Sequence, residues 1–397
     1  MVKRIIFSFF VIVASFYIFP TLLTDETIVI NVKNYGAKGD GVSDDTAAIQ
    51  SALKDGADNK IYFPEGEYKI SKELHISDNT EVYGSNAKIN ASADLITVMR
   101  VKGSNIIIRN LTVNGKKTAL RGITIEESSS RVVISENVIQ NFTQPEARSL
   151  SRLTVSAIRV KGGTKNIIMD QNYIENVMAR NPVKGWGHYV ARGILIRPDS
   201  SNQPAPKNIT ISNSSITNIG PKDDGDGIVV QGFKDKINLK ILNNSFSYTY
   251  KRAIKIQSPG VLIKGNKIYN NFYQNNFYTT YPNNNLHDMW SAISIYADHS
   301  TIVDNTITGV GHYGRIIDVA NASHIKIIKN HLKNGHKGTD KNTSIIAITS
   351  NHSNDVLKDY TILDNTLINA KYGIYTNSDI TDLNVWNNKQ VNINKNF

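Results

Sequence analysis

The densest cluster of acid groups in the sequence is Asp223-Asp224-Gly225-Asp226-Gly227, which opens the apolar run Ile228-Val229-Val230. Carboxylates this close together suit three chemistries: a hydrolase acid/base pair, an oxygen cage for calcium, or a polar turn. Arg252 and Lys255 follow at the start of the next apolar run and offer a base or an anion stabiliser. Gly187-His188-Tyr189 stands just before Arg192, and the similar Gly311-His312-Tyr313 just before Arg315. Each tripeptide supplies groups able to move a proton beside a cation. His287-Asp288 precedes Trp290 in a comparable position.

These groups sit at equivalent points of a repeat. A small residue followed by Ile-x-(Ile/Val) recurs with its leading isoleucine at Ile123, Ile158, Ile194, Ile228, Ile254 and Ile293, then at Ile317 and Ile346, and degenerately at Ile374. After each copy comes an apolar strand and Asn-x-apolar, at Asn137, Asn172, Asn244, Asn266, Asn305, Asn330, Asn365 and Asn388, with Ser214 in one copy. Alternation over a few residues is the strand period, and strands this short must stack to bury their apolar sides. Helical repeats lack support because no helical pattern intervenes. A parallel β-helix is expected, with the recurring asparagines bonded coil to coil in an internal ladder. Asp44-Asp45-Thr46-Ala47-Ala48-Ile49-Gln50-Ser51-Ala52-Leu53 reads as a capping helix that begins at carboxylates and covers the first coil.

Val32-Lys33-Asn34-Tyr35-Gly36-Ala37-Lys38-Gly39-Asp40-Gly41-Val42-Ser43-Asp44-Asp45-Thr46 resembles the opening signature of the pectate lyase superfamily, and Ile61-Tyr62-Phe63-Pro64-Glu65-Gly66 resembles its first coil. That grouping includes rhamnogalacturonase-like and epimerase-like proteins and phage tailspikes. The resemblance implies an all-β, single-stranded right-handed parallel β-helix, and within it lyases, hydrolases, epimerases and structural spikes. Asp224 and Asp226 also resemble the neighbouring aspartates of polygalacturonase-like hydrolases. Those proteins carry Gly-His-Gly on the following coil, where this chain has Lys251-Arg252-Ala253-Ile254-Lys255. Calcium, common among pectate lyases, has Asp223, Asp224 and Asp226 as its expected ligands.

Departures from a repeat mark its working surface. Insertions at 140–155, 178–191 and 269–290 enter before the Ile-x-Ile strand, and 199–206 leaves after it, so they should wall a groove along the stacked strands. The groove floor then carries Arg121 and Glu126, Arg159 and Lys161, Arg192 and Arg197, Asp226 and Gln231, Arg252, Lys255 and Gln257, Ser294 and Tyr296, and Arg315 and Asp318. Arginine forks pair well with carboxylate or sulfate, and rings such as Trp290 suit pyranose faces.

Lys3 and Arg4 precede an apolar run from Ile5 to Leu23, read as a signal peptide or membrane anchor over residues 1–25. Residues 26–397 form the β-helix domain, with 26–75 as the N-terminal cap and first coil. The chain has no cysteine, which excludes disulfides and thiolate chemistry, and a formal net charge of +11, which suits an anionic partner. Export favours an acidic glycan over nucleic acid and a secreted, periplasmic or cell-surface location, with the membrane touched only through the N-terminal segment.

The expected function is modification of a uronate-containing polysaccharide, foremost by β-elimination. Arg252, Lys255, His188, Tyr189 and His312 are its proton-transfer or anion-stabilising groups, while Arg159, Lys161, Arg192, Arg197, Gln231, Gln257, Trp290, Tyr296 and Arg315 bind the glycan. A glycoside hydrolase using Asp224 and Asp226, a C5-epimerase and a non-catalytic glycan-binding protein are the alternatives.

Overall fold

The computed structural model describes residues 28–145, 153–180, 190–220, 224–274, 276, 287–340, 342–351 and 356–395. Its strands join into one parallel sheet that winds around a continuous apolar core. The repeated isoleucines are register partners from coil to coil, as Ile123, Ile158, Ile194, Ile228, Ile254, Ile293, Ile317, Ile346 and Ile374 in turn. All are buried. A one-residue slip would turn this column outward, so burial itself locks the register.

The glycine before Ile194 and Ile228 has a steric cause, whereas Ile316 and Ile345 take that place before Ile317 and Ile346. A Cβ on Gly193 would lie 2.5 Å from the Gly227 carbonyl oxygen of the next coil, and one on Gly227 2.6 Å from that of Ala253. The ladder between Val155–Val160 and Ala191–Ile196 skips Ala157 and Gly193. This irregularity brings positions three apart onto the same outer side, where Arg315 meets Asp318 and Ser291 meets Ser294.

The asparagine ladder is present at every expected rung. Asn137 donates to Asn172 at 3.2 Å, and Asn244, Asn266, Asn305, Asn330 and Asn365 each donate to the next asparagine, ending on Asn388 at 2.9 Å. Ser214 fills its gap by accepting from the Asn172 backbone N–H at 3.1 Å, while its own N–H donates to Asn244 at 3.0 Å. Each of these amides also donates to a carbonyl of the preceding coil, as Asn266 does to Ile241 at 3.0 Å. Buried amides are thereby satisfied inside an apolar core, which is the condition for tolerating them.

The helix Thr46–Asp55 buries Ile49, Ala52 and Leu53 against the first coil. Its capping differs in detail from expectation. Asp45 occupies the cap position without capping and instead accepts from the backbone N–H groups of Lys38 and Gly39, while Asp44 accepts from the Thr46 N–H at 3.0 Å. The expected export segment, residues 1–25, lies outside the described residues. No helix among the described residues is long and apolar enough to cross a membrane.

Candidate functional site

The outer side of the Ile-x-Ile strands carries two rows of side chains. Along the strand entrances run Arg121, Ser156, Arg192, Asp226 and Arg252, each the register partner of the next. Three residues further along each strand are Thr124, Arg159, Leu195, Val229, Lys255, Ser294 and Asp318, again partnered in turn.

At the centre, a buried carboxylate, Asp226, and a half-buried one, Asp224, are held among cations. Asp226, with no solvent exposure, lies 3.2 Å from an Arg192 nitrogen and 3.6 Å from one of Arg252. Asp224 meets Arg192 at 3.0 Å and Lys251 at 3.6 Å. Burial works to raise the Asp224 pKa, but Arg192, Lys251, Lys255 and Arg252 outweigh it and hold the carboxyl well below the usual range. Burial pushes the Lys251 ammonium down to about 8, aided by the Arg252 charge. Lys255, which keeps partial exposure, is also lowered, by burial first and by Arg252 and Arg192 against the pull of Asp226.

Next to this cluster a cleft of about 550 Å³ is organised around Asp318. The buried Asp318 carboxylate accepts from Tyr296 Oη at 2.7 Å, Trp290 Nε1 at 3.0 Å and an Arg315 nitrogen at 2.6 Å. The Arg315 guanidinium lies 4.8 Å from the Trp290 ring centroid, so a cation, a ring and a phenol share one anchor. Arg252 Nε donates to Ser294 Oγ at 3.0 Å, which links the cleft to the carboxylate cluster. Burial raises the Tyr296 pKa; Arg252 works against it and the Asp318 charge adds to the rise, so the phenol stays protonated.

Towards the N-terminal coils the floor becomes a chain of ion pairs. Arg100 bridges Glu73 and Glu126, Lys161 bridges Glu126 at 2.5 Å and Asp199 at 2.7 Å, and Arg159 pairs with Asp199. Asp199 belongs to the short insertion after its strand, which thus folds back over the floor.

Several expectations change against this geometry. Arg159, Lys161, Arg192 and Arg315, read from the sequence as cations open to a glycan, are each engaged by a carboxylate of the protein. Arg197 and Gln257 are exposed and Gln231 is half-buried. His312 is buried, 3.2 Å from Asp288, which is itself fully buried, so neither lies on the open floor. Of the expected calcium ligands, Asp224 and Asp226 face arginine and lysine. Among the described residues no group of three His, Cys, Asp or Glu side chains is arranged to hold a metal. His188, Tyr189 and Asp223 lie outside the described residues, as do parts of the three long insertions. The role of Asp318 was not legible in the sequence, because two of its partners, Trp290 and Tyr296, come from the preceding coil.

A stacked parallel solenoid with a charged, aromatic-bearing face defines the class of protein. The chain belongs to the family described as rhamnogalacturonase A/epimerase, pectate lyase-like, whose model matches residues 29–273. It is 24% identical over 317 residues to plasmin and fibronectin-binding protein A of Streptococcus pneumoniae, covering 78% of this chain and 36% of that protein. It is 39% identical over 101 residues to alginate lyase 7 of Azotobacter vinelandii, covering 24% of this chain and 12% of that one. The chain thus spans little more than a third, or less, of these relatives. Among solved structures, the Streptococcus pneumoniae adhesin PfbA matches with a TM-score of 0.67 at 19% identity, over 93% of this chain and 91% of that one. The A-module of the Azotobacter vinelandii mannuronan C-5 epimerase AlgE4 matches with a TM-score of 0.56 at 16% identity, over 92% and 96%. At these identities the structural matches speak for the fold.

Proposed function

We propose that this chain acts on a uronate-containing polysaccharide by removing the proton at C5 and eliminating the glycosidic oxygen at C4. The observation that carries this reading is Lys255, a partly exposed lysine whose pKa is depressed by burial among arginines, on the strand beside the protonated phenol of Tyr296. Neutral Lys255 takes the C5 proton. The electron pair passes into the carboxylate as an enediolate, which Arg252 and Arg315 stabilise, then returns to form the C4–C5 double bond as the C4–O bond breaks. Tyr296 protonates the departing oxygen. Relatives named for alginate and mannuronan support a uronate polymer as the substrate class. Reprotonation of the same enediolate from the opposite side would make the chain an epimerase, and the first half of the reaction is shared.

Hydrolysis fits less well. It needs one carboxylic acid kept protonated near neutrality, whereas Asp224 is held ionised and Asp226 is sealed between two arginines. A non-catalytic glycan-binding protein is the second reading, favoured by the extent of the likeness to a pneumococcal adhesin and by the internal pairing of the floor cations.

The test is incubation with alginate, polygalacturonate and other polyuronates while absorbance near 235 nm and reducing ends are followed together, with solvent deuterium at C5 read by mass. Elimination produces both signals in step. Deuterium without either signal identifies an epimerase, reducing ends alone would overturn the proposal in favour of hydrolysis, and binding with no chemistry would establish the second reading.

A further inference from the structure

Among the described residues the Arg121 guanidinium has no hydrogen-bond or ion-pair partner. Arg121 opens the strand Arg121–Ile125 and is 9% exposed, yet it makes no hydrogen bond or ion pair among the described residues, and its buried Nε is unsatisfied. The carboxylates around it are taken, since Glu126 serves Arg100 and Lys161 while Asp199 serves Arg159 and Lys161. Ser156, its register partner on the next coil, has a fully buried hydroxyl that is likewise unsatisfied, and Arg159 Nε adds a third unsatisfied donor to the same stretch of floor. An unpaired charge and orphaned donors in one buried place are costly to the fold. Such an arrangement persists where a ligand completes it.

We infer that Arg121 and Ser156 form an oxyanion subsite for a second acidic group of the bound polysaccharide, several sugar units away from the reacting one. This rests on the acidic-polysaccharide reading above and specifies how the polymer is held. The Lys255 strand lies four coils on, about 19 Å at the usual strand spacing, so the subsite is reached by a polymer and not by a disaccharide bound at Lys255. The Arg121 pKa, lowered to about 10 by burial and by Arg159, is consistent with a site that lacks its anion. A carboxylate and a sulfate ester would both satisfy these donors.

The test uses the full chain carrying Lys255→Met, so that binding is measured with turnover strongly slowed. Calorimetric titration with oligouronates of increasing length, and in parallel with sulfated galactan oligomers, is compared with the same titrations after Arg121→Met or Ser156→Ala is added. The expected result is a tenfold or greater loss of affinity for long oligomers with Arg121→Met, a smaller loss with Ser156→Ala, and no change for dimers. The unliganded Arg121→Met protein should melt at a higher temperature, because an unpaired buried charge has been removed. The series that responds identifies the anion. Unchanged long-oligomer affinity in both variants, or equal losses for dimers and long oligomers, would overturn the inference. An Arg121 dependence of binding, together with no unsaturated product from the chain that keeps Lys255, would keep the subsite and refute only the reaction.

Discussion

Tyr296 donates its phenolic proton to Asp318 across 2.7 Å, from one floor strand to the next. The same Asp318 carboxylate holds Trp290 and Arg315, so one buried charge positions the phenol, the ring and the cation of the cleft. Asp318→Asn retains the volume and removes the charge. Losing hydrogen bonds to a charged group costs about 1.5–3 kcal/mol. Elimination should therefore slow by roughly ten- to a hundredfold, with the fold preserved by circular dichroism. An unchanged kcat would show that Asp318 does not organise the site.

Lys255→Met should reduce turnover by about 10²–10⁴-fold, the usual contribution of a positioned base. Since the neutral amine is the active form and its pKa is lowered, activity should rise with pH along a limb whose midpoint lies below that of an ordinary lysine. Arg252 contributes to that lowering. Arg252→Gln should move the limb to higher pH, besides lowering kcat. A pH profile unmoved by this substitution would remove Lys255 from the base role.

Asp226 sits without solvent between Arg192 and Arg252. Asp226→Asn leaves two buried guanidinium groups short of an anion, so a loss of about 3–5 kcal/mol is expected, measured by denaturant unfolding. The paired change Asp226→Asn with Arg192→Met should recover part of it. A loss below about 1 kcal/mol in the single variant would mean that water reaches this pair.

The central ladder rung Asn266 receives from Asn244 and donates to Asn305 and to the Ile241 carbonyl. Asn266→Ala strands those partners in the core and should cost about 1–3 kcal/mol. Asn388, at the end of the ladder and nearer solvent, should cost less on the same change, and chemical denaturation of the two variants side by side checks the order.

The sequence by itself determined the architecture. The isoleucine column and the asparagine phrase repeat because each coil must present the same side chains to the next. A requirement of that kind is written locally and recurs legibly. The offset to the inward isoleucine also places Arg121, Arg159, Lys255 and Asp318 in the outer rows of the stacked strands. What only the tertiary structure decided is how those residues are spent. Whether Arg159 is open to a ligand depends on Asp199, which arrives from an insertion 40 residues later. The Arg192 guanidinium is neutralised by the next coil, and His312 turns to the buried Asp288 instead of the groove. Charge pairing acts through space over a few ångströms between coils, and residue spacing along the chain carries no record of it.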